Sequence, residues 1–356
     1  MTHEFKEIIT VYQQALQKGI KAVVATVVDI DGSSYRRPGV GMLIQENGHM
    51  TGAVSGGCVE KEVLRQAQSV FSSGKPKIMT YDGRYRLGCE GILYILIEPF
   101  EVAKASIDVI NTKLQQRIPF QIKSYYIKEE GSHCVMGSII EFEDDQLIVF
   151  SDTARLLLVQ QNSSLQCFER IMQPCFRLII VGTEHDAKHL CILASVTGWE
   201  VEVIGAPSNP KQLFDFPGAF LVRNETPENL TLYNTDLQTA IILMTHNFAK
   251  DVLYLQAIKN VEFAYIGLLG PARRREKLLS ALIAYAPDIS DEFIESIHGP
   301  AGLNVGAETP QEIAISIIAE ILSVIRAQNP ISLQDKKGGI HSQTKKQLID
   351  EMHGRT

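Results

Sequence analysis

The sequence predicts an α/β protein built from an N-terminal α/β module and a C-terminal doubly wound parallel sheet. Two observations support this fold class. Strands and helices alternate after residue 176, which is the pattern of a parallel sheet covered by helices on both faces. The chain of 356 residues is also longer than one ordinary hydrophobic core supports, so at least two domains are expected.

Composition restricts the function class. The formal net charge of -7 argues against a broad nucleic-acid surface, and no apolar run is long enough to span a bilayer. The N-terminal residues lack an apolar signal core, so we expect a cytoplasmic protein with no nucleic-acid or membrane partner. The six cysteines are scattered without a CxxC pair, which favours free thiols over a disulfide framework or a structural zinc site.

The first hundred residues predict a mixed α/β module. Residues 4–18 have helical apolar spacing, and residues 21–29 form an apolar run typical of a buried strand. Glu46-Asn47-Gly48 separates two further strand-like runs and indicates a hairpin. We expect a separate N-terminal module over 1–100.

A glycine-bounded loop with two arginines lies inside this module. It reads Gly32-Ser-Ser-Tyr-Arg-Arg-Pro-Gly39 and contains Ser34, Arg36 and Arg37 as candidate cofactor-binding residues. Guanidinium groups match phosphate and planar acceptors, so the arginines could clamp a phosphate or a pterin-like ring. The alternative is a surface turn with two solvated arginines.

Two glycine-flanked thiols follow. Ser55-Gly56-Gly57-Cys58 precedes a predicted helix, in which Gly57 would be the N-cap and Glu60 the N3 residue. A helix start favours anions and a thiolate, so this segment is a candidate cofactor site and Cys58 a candidate metal ligand. The loop Gly88-Cys89-Glu90-Gly91 repeats the arrangement and adds Cys89. The alternative for each thiol is a buried structural cysteine.

Residues 101–173 predict a peripheral or connecting region. A helix over 101–116 precedes short strand-like runs at 119–127, 133–142 and 146–159. We place the following Rossmann-like domain at 174–329 and a loosely held tail at 330–356, which is polar and contains two lysine pairs.

The strand–helix alternation can be assigned residue by residue. Strands are predicted at 177–181, 201–204, 219–222, 240–244 and 263–267, with helices near 184–197 and 248–259. Thr309-Pro-Gln-Glu312 supplies an N-cap, a proline at N1 and a capping-box glutamate for a last helix to about Arg326.

Val181-Gly-Thr-Glu-His-Asp-Ala187 lies between a strand and a helix, as a dinucleotide-binding fingerprint does. Gly182 is therefore a candidate cofactor-binding residue. Two departures count against NAD(P): Glu184 occupies the second glycine position, and Gly205 stands where a ribose-binding acid is usual. A Rossmann scaffold without a dinucleotide is the alternative.

Two more segments could contribute to a ligand site in this domain. Thr245-His246-Asn247 follows the fourth strand, and His246 with Asp251 could be a polar ligand pair, or the segment could only cap a helix. Arg273 and Arg274 begin another helix, against the macrodipole preference. They could contact phosphate or an acidic partner, or form a solvated face.

Six of these segments occur together in a fixed order along the chain. They are the loop 32–39, the segments Ser55 to Glu60 and Gly88 to Gly91, the run Tyr265 to Gly270, the arginines that follow it and the helix start at Thr309. This combination resembles the xanthine dehydrogenase accessory factor family, which includes carbon monoxide dehydrogenase accessory proteins. The resemblance covers nearly the whole chain except 101–170 and the tail.

The resemblance implies a maturation factor for molybdenum hydroxylases such as xanthine dehydrogenase in purine catabolism. It implies that the protein binds molybdenum cofactor (molybdopterin), shelters it while a cysteine desulfurase exchanges an oxo ligand for sulfur, and passes it on. It also implies a homodimer without turnover of its own, with Cys58 first and Cys89 second as contacts to molybdenum or sulfur.

Two other functions stay open from the sequence. One is an NAD(P)-dependent oxidoreductase built on residues 176–326. The other is a docking module between the desulfurase and the dehydrogenase, which would use the arginine run and the tail.

Overall fold

The computed structural model describes residues 1–32, 37–83, 91–158 and 164–336, and for Cys58 it describes the backbone alone. The chain divides into two compact units, Met1–Pro174 and Cys175–Thr356. Within the described ranges, no helix is both long and apolar enough to cross a membrane.

Unit 1 begins with a helix and contains two antiparallel sheets. Its helices are α1 (Thr2–Gln17), α2 (Cys58–Ser73), α3 (Lys104–Gln115) and the short α4 (Asp152–Arg155). Its strands are β1 (Ala22–Asp31), β2 (Gly41–Gln45), β3 (Met50–Gly52), β4 (Lys77–Asp82), β5 (Ile92–Pro99), β6 (Phe120–Tyr126), β7 (Gly131–Ser132), β8 (Gly137–Phe142), β9 (Leu147–Val149) and β10 (Gln166–Met172).

The larger sheet has the strand order β3-β2-β1-β5-β4-β7, and the smaller has the order β10-β6-β8-β9. β1 is central and alternates its side chains between two cores, as a strand buried on both faces must. Val23 and Ala25 pack with α2, whereas Ala22 and Val24 pack with α1, α3 and the smaller sheet. Residues 101–172 thus share a core with α1.

Unit 2 is a parallel sheet with helices on both faces. Its strands are β11 (Arg177–Val181), β12 (Glu200–Gly205), β13 (Ala219–Asn224), β14 (Thr239–Leu243), β15 (Tyr265–Leu268) and β16 (Ile297–His298). Its helices are α5 (His185–Val196), α6 (Phe248–Ile258), α7 (Ala272–Tyr285), α8 (Asp291–Glu295) and α9 (Pro310–Ile325).

The strand order is β13-β12-β11-β14-β15-β16, and all neighbouring strands are parallel. Helices α5 and α9 pack on one face, and α6 and α7 pack on the other. This is the Rossmann order, so the predicted fold class is confirmed. The strand order reverses between β11 and β14, and the crevice at their carboxyl ends is where such sheets bind ligands.

Candidate functional site

The glycine–thiol segment of unit 1 leads directly into α2. Gly57 is the N-cap, with a φ of 121° that an L side chain rarely adopts, and Cys58 is the first helical residue. The Glu60 carboxylate accepts hydrogen bonds from the backbone N–H of Ser55 (2.7 Å) and of Gly57 (2.8 Å), and from the Ser55 hydroxyl (3.1 Å). The predicted N-cap and capping-box glutamate are confirmed.

This carboxylate is held in its charged form. Burial alone would raise the pKa of Glu60, but the hydrogen bonds from Ser55, from Gly57 and from its own backbone N–H lower the pKa below the ordinary 4.5. The amides of Ser55 and Gly57 are therefore already occupied by an internal anion. A ligand at this helix start must use other groups.

The outer side of the segment is open with respect to the residues that the structure describes. Among these residues, a Cβ built on Gly56 or on Gly57 would meet no atom within 4 Å. A ligand can therefore approach the backbone of both glycines next to the Cys58 backbone. The structure does not describe the Cys58 side chain, and Cys89 lies outside the described residues.

The arginine loop is anchored at both ends. At its start, Lys128 binds Asp29 (2.8 Å) and Asp31 (2.7 Å) at the end of β1. At its end, the carbonyl of Gly39 accepts a hydrogen bond from the Arg170 guanidinium in β10.

The candidate residues of this loop are only partly described. The side chain of Arg37 is exposed, whereas Ser34 and Arg36 lie outside the described residues. The structure therefore shows how the ends of the loop are held, but the shared location of its two arginines stays a prediction.

A buried acid near Arg170 escaped the sequence analysis. Glu98 in β5 accepts hydrogen bonds from the hydroxyl of Ser138 (2.5 Å) and from its backbone N–H (2.7 Å). Burial raises the pKa of Glu98 to about 7, although those bonds and the charge of Arg170 act in the opposite direction. The only sequence signal is one acid at the end of the apolar run 92–97.

In unit 2, Gly182 lies at the turn after β11, with a φ of 136°. A Cβ on Gly182 would overlap the Met244 carbonyl, lying 2.7 Å from its carbon. The glycine is therefore required by the close approach of the β11 and β14 chain ends. This packing role is independent of any ligand.

The structure also describes the two positions, Glu184 and Gly205, that count against dinucleotide binding. Glu184 is the exposed N-cap of α5 and makes no side-chain cap hydrogen bond. A Cβ on Gly205 would lie 2.7 Å from the Asn224 side-chain oxygen and 3.0 Å from the Thr183 methyl group. The usual place of a ribose-binding acid is thus crowded by neighbouring side chains.

His246 lies across the crevice from the first turn of α5. Its Nε2 is 3.5 Å from Oδ2 of Asp186, and its side chain is half exposed. Its φ of 54° is uncommon for a residue with a side chain, a conformation that clusters at functional sites. The sequence predicts His246 as a candidate residue but gives no signal for Asp186, because only the fold brings the two segments together.

The Asp251 carboxylate is not paired with His246. It is buried and binds the Thr245 hydroxyl (2.6 Å) and the Arg274 guanidinium (2.6 Å). Arg274 therefore ties α7 to α6, which is a packing role, while the neighbouring Arg273 is exposed to solvent. Of the two arginines, Arg273 has its side chain presented for a ligand or a partner.

The arrangement defines a protein of two α/β units, one in which a cysteine begins a helix after two exposed glycines and one with a Rossmann sheet whose dinucleotide positions are altered. Family models match both: the XdhC and CoxI family over residues 15–82, and the XdhC Rossmann domain over residues 178–321. The chain belongs to this family of xanthine dehydrogenase accessory factors.

Relatives and a solved structure resemble nearly the whole chain. A Bacillus subtilis protein described as a probable xanthine dehydrogenase subunit is 28% identical, over 88% of this chain and 96% of its own. The molybdenum cofactor insertion chaperone PaoD of Escherichia coli is 27% identical, over 91% and 90%. A crystal structure of a xanthine dehydrogenase from Bacillus halodurans has a TM-score of 0.74 at 26% identity, over 91% and 97%.

Proposed function

We propose that this protein is a maturation factor that binds molybdenum cofactor and assists its sulfuration and its insertion into xanthine dehydrogenase or a related molybdenum hydroxylase. Family membership and the PaoD relative, a molybdenum cofactor insertion chaperone, support the choice of cofactor. The observation that carries the proposal is the open glycine pair beside the helix-start residue Cys58.

The donor set fits such a group. The N-terminus of α2 favours a thiolate at Cys58, and thiolates bind soft metals. The open backbone of Gly56 and Gly57 admits a bulky ring system, and Arg37 is an exposed cation for a phosphate. In the bound state the cofactor would supply the molybdenum centre on which an oxo ligand is exchanged for sulfur.

The structure refines the roles that we assign. Because Glu60 occupies the amides of Ser55 and Gly57, those residues shape the site rather than donate to the ligand. Cys58 is proposed as the contact to molybdenum or sulfur, and Arg36, Arg37 and Ser34 as contacts to the pterin phosphate. Cys89 is the second thiol candidate.

The proposed partners are the client hydroxylase, a cysteine desulfurase and a second copy of this chain. We assign no turnover to the protein itself. The NAD(P)-dependent alternative is less well supported, because Glu184 faces solvent at the N-cap of α5 and Gly205 is crowded. Titration calorimetry of the full chain with NAD(P) decides it, and tight binding would favour the alternative.

Purification of the full chain from a molybdenum-replete host tests the proposal. We expect the wild type to carry molybdenum and pterin, measured by mass spectrometry of the metal and by fluorescence of the oxidised pterin. Cys58→Ala should lose most of both because it removes the proposed thiolate contact. Cys134→Ala is the matched control, since Cys134 is an exposed free thiol of unit 1.

Two results would overturn the proposal. One is a wild type that carries no cofactor and takes up none on reconstitution. The other is a Cys58→Ala variant that keeps as much cofactor as the Cys134→Ala control.

A further inference from the structure

Two histidines on α5 face each other one helical turn apart. His185 Nε2 and His189 Nε2 are 3.2 Å apart, with the rings nearly perpendicular at 82°. His185 is exposed and His189 is half-buried, so both rings are accessible from solvent. Two imidazole nitrogens therefore lie close enough at the surface of unit 2 to bind the same ion.

A side chain from α9 joins this pair. The amide nitrogen of Gln311 lies 3.4 Å from His189 Nε2. The two ends of the amide have nearly the same shape, so a half-turn of the amide places its oxygen at this position. Packing of α5 against α9 through Leu190, Ala194 and Ile317 fixes this approach.

The spacing matches a shared cation. Ligand atoms about 2.0–2.1 Å from a tetrahedral zinc ion lie about 3.3–3.4 Å from each other. The two distances here are 3.2 Å and 3.4 Å. We propose that His185, His189 and Gln311 form a site for a divalent transition-metal ion, with water completing the coordination.

The donor types restrict the ion. Imidazole suits zinc, nickel and copper, whereas magnesium and calcium require oxygen donors. Within the ranges that the structure describes, no group of three or more His, Cys, Asp or Glu side chains could hold a metal. The site differs from such a group because its third donor is an amide, and its three donor residues all belong to unit 2.

Charges near the site oppose one another. The N-termini of α5 and α9 disfavour a cation, while Glu184 and Asp186 beside His185 supply negative charge. Without metal, the same geometry is a hydrogen bond between two imidazoles, in which the Nε2–H of one ring donates to the unprotonated Nε2 of the other. Metal binding replaces that bond and ties α5 to α9, so it should stabilise unit 2.

Calorimetric titration of the full chain with Zn²⁺ tests the proposal. His185→Ala and His189→Ala should each weaken this binding event by about tenfold or more, because each removes a ligand. Gln311→Ala should also weaken it, whereas Gln311→Glu should tighten it by supplying a carboxylate ligand. His49→Ala, at an exposed histidine of unit 1, is the matched control and should match the wild type.

A second measurement separates this site from thiols that also bind zinc. Trp199 is the single tryptophan and lies in unit 2, so its fluorescence reports the unfolding of that unit. Zn²⁺ should raise the melting temperature of the wild type and not that of His185→Ala/His189→Ala. Equal Zn²⁺ affinity and equal thermal shifts in wild type and double variant would overturn the proposal.

Discussion

The two units begin a helix after a glycine in different ways. At the start of α2, the Glu60 carboxylate occupies the amides of Ser55 and Gly57, and the glycines face open space. At the start of α5, Glu184 makes no side-chain cap hydrogen bond, and Gly182 is pressed against the Met244 carbonyl. A glycine before a helix thus serves access in unit 1 and chain packing in unit 2.

This difference explains why the two motifs have unequal value for predicting ligands. Open space beside a glycine leaves room for a bulky group, so the Ser55–Cys58 segment remains a ligand candidate. A glycine that only prevents a backbone collision is required whether or not a ligand binds. Substitution by alanine distinguishes the two cases directly.

Gly182→Ala should have the largest effect. The new Cβ would overlap the Met244 carbonyl, and the alanine would have to adopt the φ of 136° that Gly182 has. Unit 2 should therefore lose about 3 kcal/mol of stability. Urea unfolding followed by Trp199 fluorescence measures this loss.

Gly56→Ala is the matched control for that experiment, since its Cβ meets nothing within 4 Å and its φ is not in the left-handed region. It should unfold like the wild type when urea unfolding is followed by circular dichroism, because Gly56 lies in unit 1 and Trp199 reports unit 2. Unchanged stability of Gly182→Ala would remove the distinction between the two glycines.

Local sequence signals predicted much of the fold because their causes are local. Thr309 and Glu312 form the expected capping box, and β2 and β3 form the expected hairpin. The run 146–159 was predicted as one strand and is wrong beyond Val149, because Ser151 caps the short helix α4. The strand β10 was not predicted, because most of its side chains are exposed or half-buried and its sequence lacks a clear apolar pattern. Its pairing with β6 defines it as a strand.

The contacts of the candidate site also differ in whether they are local in the sequence. Gly57 and Glu60 are three residues apart, so the sequence could predict their contact. The contact of Asp186 with His246 depends on the three connections from β11 through β12 and β13 to β14, which bring β11 beside β14, and on the left-handed backbone of His246. Hydrophobic periodicity contains no information on such a pair.

The adjacent arginines of α7 give a second test, with a smaller expected effect, of the difference between a side chain that stabilises the fold and one that is accessible to a ligand. Arg274→Ala should destabilise unit 2 by about 2 kcal/mol, because it leaves the buried Asp251 carboxylate without its guanidinium partner. Arg273→Ala should change stability by no more than about 0.5 kcal/mol, as expected for an exposed side chain. Trp199 fluorescence during urea unfolding measures both.

A comparable loss of stability in Arg273→Ala would mean that both arginines stabilise the fold of unit 2. It would also withdraw Arg273 as a candidate for contact with a phosphate or an acidic partner. Loss in Arg274→Ala alone would leave Arg273 as the accessible member of the pair.

The smallest expected effect concerns Glu60, which fills the helix start in unit 1. Glu60→Gln keeps the shape and loses the charge, so α2 should lose about 1 kcal/mol at pH 7. Because the pKa of Glu60 is lowered in the folded protein, its carboxylate contributes stability above the unfolded pKa near 4.5. That contribution is lost as the pH falls through the lower, folded value.

The stability difference between wild type and Glu60→Gln should therefore be constant from pH 7 to about pH 5 and shrink at lower pH. Urea unfolding followed by circular dichroism, at a series of pH values, measures it for unit 1 alongside the Trp199 signal of unit 2. A difference that persists unchanged at pH 3 would mean that shape, and not charge, holds the Ser55–Gly57 amides.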